Sequence, residues 1–148
     1  MYFIIENNKL VRSQTLPENV PAVILTTYIP ERTPANDFNI ASSVFDETFT
    51  RNSFRYESCE GFDLLCLRLV NIEHFSKTVA PVYIFFKKNR LIIYAVKTDE
   101  AEARLERISK RDCNVVSLGE VMYHLLTDQI SGDLKHLEGY ESGFTALE

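Results

Sequence analysis

The chain has 148 residues, 45% of them hydrophobic and 25% charged, with five Gly, five Pro and no Trp. That composition excludes a disordered tail and a collagen-like repeat and fits one ordinary globular domain, large enough to bury about two-thirds of its unfolded surface without a disulfide or a structural metal. The formal charge of −5, from 16 Lys and Arg against 21 Asp and Glu, makes general phosphate-backbone binding unfavourable.

No apolar run reaches the roughly 18 residues of a membrane helix, and Met1 to Asn8 has no basic leader followed by an apolar stretch, so a soluble, unexported domain is expected. Cys59, Cys66 and Cys113 form an odd set with no C-x-x-C pair, the pattern of reduced thiols rather than of a disulfide frame or a zinc site. The charge is unevenly placed. Residues 1–116 carry 15 acids and 15 bases, whereas beyond them Glu120, Asp128, Asp133, Glu138, Glu141 and Glu148 face Lys135 alone. An acidic C-terminal helix is the expectation.

In chain order, Tyr2 to Ile5 and Leu10 to Val11 flank Asn7-Asn8, a pair that tolerates the positive φ of a tight turn and predicts a hairpin. Ala22 to Tyr28, rich in β-branched residues and bounded by Pro21 and Pro30, reads as a strand. Thr33-Pro34 is a helix start signal, and the segment it opens runs to about Phe45. Phe54 to Cys59 is a weaker strand joined through Glu60-Gly61 to Phe62 to Ile72. That stretch, like Val82 to Phe86 and Leu91 to Val96, is apolar at consecutive positions, so both faces of these strands should be buried. The Lys87-Lys88-Asn89-Arg90 connection is too short for a crossover helix and forces an antiparallel hairpin. Asp99-x-x-Glu102 and Ser117-x-x-Glu120 read as capping boxes of two helices. The first places Ala101, Leu105 and Ile108 on one face. The second opens a stripe of Leu118, Met122, Leu125, Ile130, Leu134, Leu137, Phe144 and Leu147, with no stop signal before Glu148. Gly132, Gly139 and Gly143 weaken this helix by about 1 kcal/mol each, so it needs a supporting surface. The expected fold is a three-layer α/β/α sandwich with a mixed parallel and antiparallel sheet and a trailing C-terminal helix. It forms one domain over 1–148, with the sandwich in 1–116 and the helical segment in 117–148.

No phosphate loop, nucleophile elbow or zinc-protease motif occurs, which predicts that the chain is not an enzyme. Cys66 sits in the most apolar strand, where burial disfavours a reactive thiolate. His124 and Asp128, four apart on the last helix, could ligate a metal with Asp133 or His136 nearby, although an exposed polar face explains them as well. Lys87, Lys88 and Arg90 beside Phe85-Phe86, with the basic run Arg107 to Arg111, form a weak nucleic-acid pattern, discounted because the rings belong to an apolar strand.

Taken together, Glu57 to Val96 followed by Val121 to Glu148 resembles the cytosolic N-terminal domain of CorA-type magnesium transporters. The likeness rests on a strand pair around a Glu, a hairpin written as apolar run, short basic turn, apolar run, and a helix start at Val121-Met122-Tyr123-His124-Leu125-Leu126 leading to Leu137-Glu138 and Leu147-Glu148. It runs from about Ala41 onward. The resemblance implies an α/β/α domain beneath a membrane pore, its last helix continuing as a stalk. It also implies a regulatory divalent-cation site between subunits that assemble as pentamers at the cytoplasmic face of the membrane. One family ligand is an Asp in a turn before the strand pair. Val44-Phe45-Asp46 occupies that place, Phe45 replacing the usual acid and Glu47 following. The metal ligands implied are therefore Asp46 and Glu47, holding magnesium or cobalt weakly in the isolated domain. The family's Gly-Met-Asn motif and membrane spans do not occur in these 148 residues. The resemblance thus implies a regulatory fragment without a pore, by itself a monomer or weak dimer. A rival reading is a free-standing α/β interaction module that uses the acidic C-terminal helix.

Overall fold

The computed structural model describes residues 1–27, 55–68 and 81–145. The helix expected from Thr33 to Phe45 lies outside these residues, as do Asp46 and Glu47. Seven strands form one sheet: β1 (Tyr2–Glu6), β2 (Lys9–Ser13), β3 (Ala22–Thr27), β4 (Arg55–Cys59), β5 (Phe62–Arg68), β6 (Pro81–Lys87) and β7 (Arg90–Ala95), in the order β2-β1-β3-β7-β6-β5-β4. Two helices follow, α1 (Asp99–Lys110) and α2 (Leu118–Thr145).

Local chemistry sets the turns. Asn7 and Asn8 adopt φ of 50° and 60°, so the first hairpin closes from Glu6 to Lys9 with two left-handed residues, the geometry matched to the right-handed twist of the strands. Gly61 takes φ 85° in the β4–β5 turn, and Lys88 takes φ 49° between the paired Lys87 and Arg90. The short hairpin connections require antiparallel pairing and supply the antiparallel part of the mixed sheet. The one parallel pair among the described strands is β3 with β7, in register from Ala22 opposite Arg90 to Thr27 opposite Ala95.

Both faces of the central strands are buried, as their unbroken apolar runs require. On one face Phe3, Val23, Leu25, Ile84, Leu91 and Ile93 pack with Leu105 and Ile108 of α1 and Leu118, Val121 and Leu125 of α2. On the other, Ile24, Leu64, Cys66, Tyr83, Phe85, Ile92 and Tyr94 form a second cluster, with Phe85 and Tyr94 edge to face at 5.6 Å. Alternation grades burial within one run: Leu64 and Cys66 are buried, whereas Leu65 and Leu67 are half-exposed.

The helix starts differ from expectation in one place. Ser117 and Glu120 form the reciprocal cap, Ser117 Oγ accepting from the Glu120 N–H at 3.2 Å and the Glu120 carboxylate accepting from the Ser117 N–H at 3.2 Å. Asp99, however, lies inside α1 rather than at its cap. Thr98 caps without a side-chain bond, and Glu102 reaches instead to Arg12 on β2 at 3.1 Å. With Thr98 as the cap the helix begins one residue early and Glu102 falls one position past the reciprocal-box position, while Asp99, Glu100 and Glu102 still complement the helix dipole in the first turn. Among the described residues no helix is long and apolar enough to cross a membrane.

Candidate functional site

The face of the sheet that carries both helices is not evenly covered. Toward the β4 edge, α2 and the strands diverge and leave an open apolar groove of about 470 Å³, lined by Leu65, Ile84 and Phe86 from the sheet and Gly119, Met122 and Leu126 from α2. Register explains the sheet wall. Tyr56, Leu65 and Ile84 stand opposite one another across β4, β5 and β6, as do Ser58, Asp63 and Phe86.

Asp63 marks one end of this wall. Its Oδ1 accepts from the Ser58 hydroxyl at 2.7 Å and from the Tyr56 hydroxyl at 3.3 Å. Among the described residues no Lys, Arg or His lies within ion-pair distance of it. Chemically the groove offers apolar walls and a half-buried carboxylate on neutral donors, a combination that accepts an apolar body carrying a cation. The sequence reading did not single it out. The available signal was an acid at the second position of the otherwise apolar run FDLLCL.

Of the residues proposed from sequence for metal binding, His124 and Asp128 are the two whose side chains the structure describes. Asp46 and Glu47 lie outside the described residues. Asp128 serves as the ion-pair anchor of α2. Its carboxylate, 9% exposed, accepts from the Arg111 guanidinium and sits 3.6 Å from Arg107 Nε. His124 turns toward Cys113, with Nε2 3.8 Å from Sγ. The cause is the helical period, which puts His124 and Asp128 on the side of α2 next to the α1–α2 connection, where Arg104 and Arg107 of α1 and Arg111 just after it supply three guanidinium groups. One of them, Arg104, is 4% exposed and pairs with Glu100 at 3.4 Å. Burial lowers its pKa, and the nearby Glu100 carboxylate opposes that shift. No group of three or more His, Cys, Asp or Glu side chains placed to hold a metal occurs among the described residues.

The acidic helix is thus partly self-neutralised, since Glu120 caps and Asp128 is clasped. The single apolar stripe expected along it also divides. Leu118, Val121 and Leu125 enter the core, while Ile130 is 59% exposed. Tyr83 and Phe85, from the aromatic run beside the basic turn, are core residues. Arg90 of that turn is spent on the fold, its guanidinium donating to the carbonyls of Pro17, Glu18, Val20 and Asn89 and so fastening the β2–β3 connection to the β6–β7 hairpin.

Compared with known proteins, the chain matches no protein-family model, and no curated protein is significantly similar to it in sequence.

Proposed function

We propose that this chain is the cytosolic, divalent-cation-sensing regulatory domain of a CorA-like magnesium transporter, organised as a three-layer α/β/α sandwich and itself neither pore nor enzyme. The observation that carries the reading is the shape of α2. It continues for 28 residues, about 42 Å at 1.5 Å per residue, well beyond the roughly 23 Å spanned by a seven-residue strand. Among the residues whose side chains are described, its core anchors are Leu118, Val121 and Leu125, in the first turns. A helix of this length with core anchors near its start has the form of a stalk that relays a change in the domain to a neighbouring element. The burial of both sheet faces supports the three-layer arrangement. In this reading Asp46 and Glu47 supply carboxylate oxygens to magnesium or cobalt, and the remaining ligands are waters and a neighbouring subunit of a homo-pentamer at the cytoplasmic face of the membrane.

A two-carboxylate magnesium site in the isolated domain should be weak, with Kd on the order of 1 mM. At about 20 mM MgCl₂ such a site stabilises the folded state by about 2 kcal/mol, a rise in melting temperature of about 5 °C for a chain of this length. Thermal melts in MgCl₂ and in NaCl of matched ionic strength test this. The rise is expected in the wild type and in Asp63→Asn and should vanish in Asp46→Asn. No magnesium-specific rise, or one that survives Asp46→Asn, overturns the assignment.

A further inference from the structure

The groove beside α2 does not end at its walls. At 100° per residue, Gly119, Met122, Tyr123, Leu126 and Ile130 fall within an arc of about 100°, next to the arc that Leu118, Val121 and Leu125 bury in the core. Tyr123 is 64% and Ile130 59% exposed, and Tyr56 across the groove is 68% exposed. From Gly119 to Ile130 the stripe rises about 16 Å, three helical turns. Gly119 keeps the near wall low, since a Cβ there would meet only Ser117 Oγ, at 3.6 Å. Leu65, Ile84 and Phe86 form the sheet side of the groove, so among the described residues the space beside α2 is the next open slot in the helical layer of this face, where a helix packs about 8–10 Å from its neighbour.

Charge selects among candidate occupants. Asp63 is the one charged residue in the described lining of the groove. It is half-buried, its recorded bonds come from hydroxyls, and no cation among the described residues neutralises it. An acidic or neutral apolar segment would leave that carboxylate desolvated without compensation, whereas a Lys or Arg would convert it into a charge-assisted pair. We infer that the groove is a docking site for the apolar face of an amphipathic helix from a partner protein, with a Lys or Arg of that helix paired to Asp63. Anchors at i, i+3 or i+4 and i+7 match the three turns of exposed stripe. The exposed Tyr56 and Tyr123 rings supply the aromatic contacts in which protein interfaces are enriched. This inference uses neither Asp46 nor a bound metal and stands apart from the magnesium reading.

The test uses the whole chain and three labelled, capped helical peptides of about 15 residues, identical in their Leu face and carrying Lys, Gln or Glu at the terminal position. Fluorescence anisotropy should show the Lys peptide binding about tenfold more tightly than the Gln peptide and more tightly still than the Glu peptide. Asp63→Asn should remove the Lys preference by weakening the Lys peptide, with the Gln peptide bound no more weakly than by the wild type. Leu126→Asp should abolish binding of all three. Because that variant could fail to fold, Gly119→Leu is the companion. It raises helix propensity, fills the groove, and should block binding with an undiminished melting temperature. Equal affinities for the three peptides, a Lys preference that persists in Asp63→Asn, or full binding by Gly119→Leu would overturn the proposal. So would sedimentation showing a wild-type dimer that Gly119→Leu dissociates, since a second copy would then be the occupant.

Discussion

The clasp between α1 and α2 predicts a measurable loss when Asp128 is replaced by Ala. The carboxylate is 9% exposed and faces Arg107 and Arg111, which are 53% and 41% exposed. Removing one partner of a fully buried pair costs about 3–5 kcal/mol because the other charge is stranded. Here both guanidinium groups can turn back to water, so that range is discounted toward the exposed-pair value of at most about 1 kcal/mol each. Arg104, 4% exposed and held by Glu100, also loses the favourable field of Asp128. Combining these terms gives about 2 kcal/mol, or about 5 °C in melting temperature for a chain of this length. Urea titration followed by circular dichroism measures it. A double-mutant cycle with Arg111→Ala should give a coupling of about 1 kcal/mol, since the two groups share one contact. A loss below about 0.5 kcal/mol, or a coupling near zero, would refute the reasoning and mean that α2 is held by Leu118, Val121 and Leu125 alone.

Arg90→Ala should cost about 2–3 kcal/mol in urea titration, because four carbonyl contacts to one guanidinium are lost; Arg90→Lys should recover less than half, a point charge being unable to reproduce the planar fork. Gly61→Ala should cost about 1 kcal/mol through backbone conformation alone, since φ is 85° and nothing lies within 4 Å of an added Cβ. An unchanged denaturation midpoint would remove the positive φ from the account. Leu64→Ala should cost about 3 kcal/mol and Leu67→Ala about half as much, because Leu64 is fully buried and Leu67 is not; equal losses would contradict the packing described for β5.

What the sequence by itself determined about this protein are the features whose energetics close within a few residues. Asn7-Asn8 and the Lys87 to Arg90 segment set their hairpins because a two-residue connection admits only antiparallel pairing and favours residues that tolerate φ above zero. Ser117 and Glu120 cap α2 because donor and acceptor are three residues apart and meet in the first turn. Consecutive apolar residues in β6 and β7 demanded cover on both faces, and Tyr83, Ile84, Ile92 and Ile93 received it. Tertiary structure decided whatever depends on which distant segments meet. The helix starts at a Thr98 cap rather than at Asp99, and Glu102 pairs with Arg12, a base that chain order keeps far from it. The parallel β3–β7 pair follows from a long crossover that no local pattern announces. Asp128 looked like half of a metal site until Arg107 of α1 and Arg111 just beyond it paired with its carboxylate. The stripe on α2 divided because a helix buries only the arc that its neighbours reach: Leu125 lies over the sheet, while Ile130 lies outside that arc. Asp63 shows the same limit. Its place in an apolar run is legible from sequence, but whether that place is core or groove depends on how far α2 stands from β5, a distance set by side chains from both elements at once.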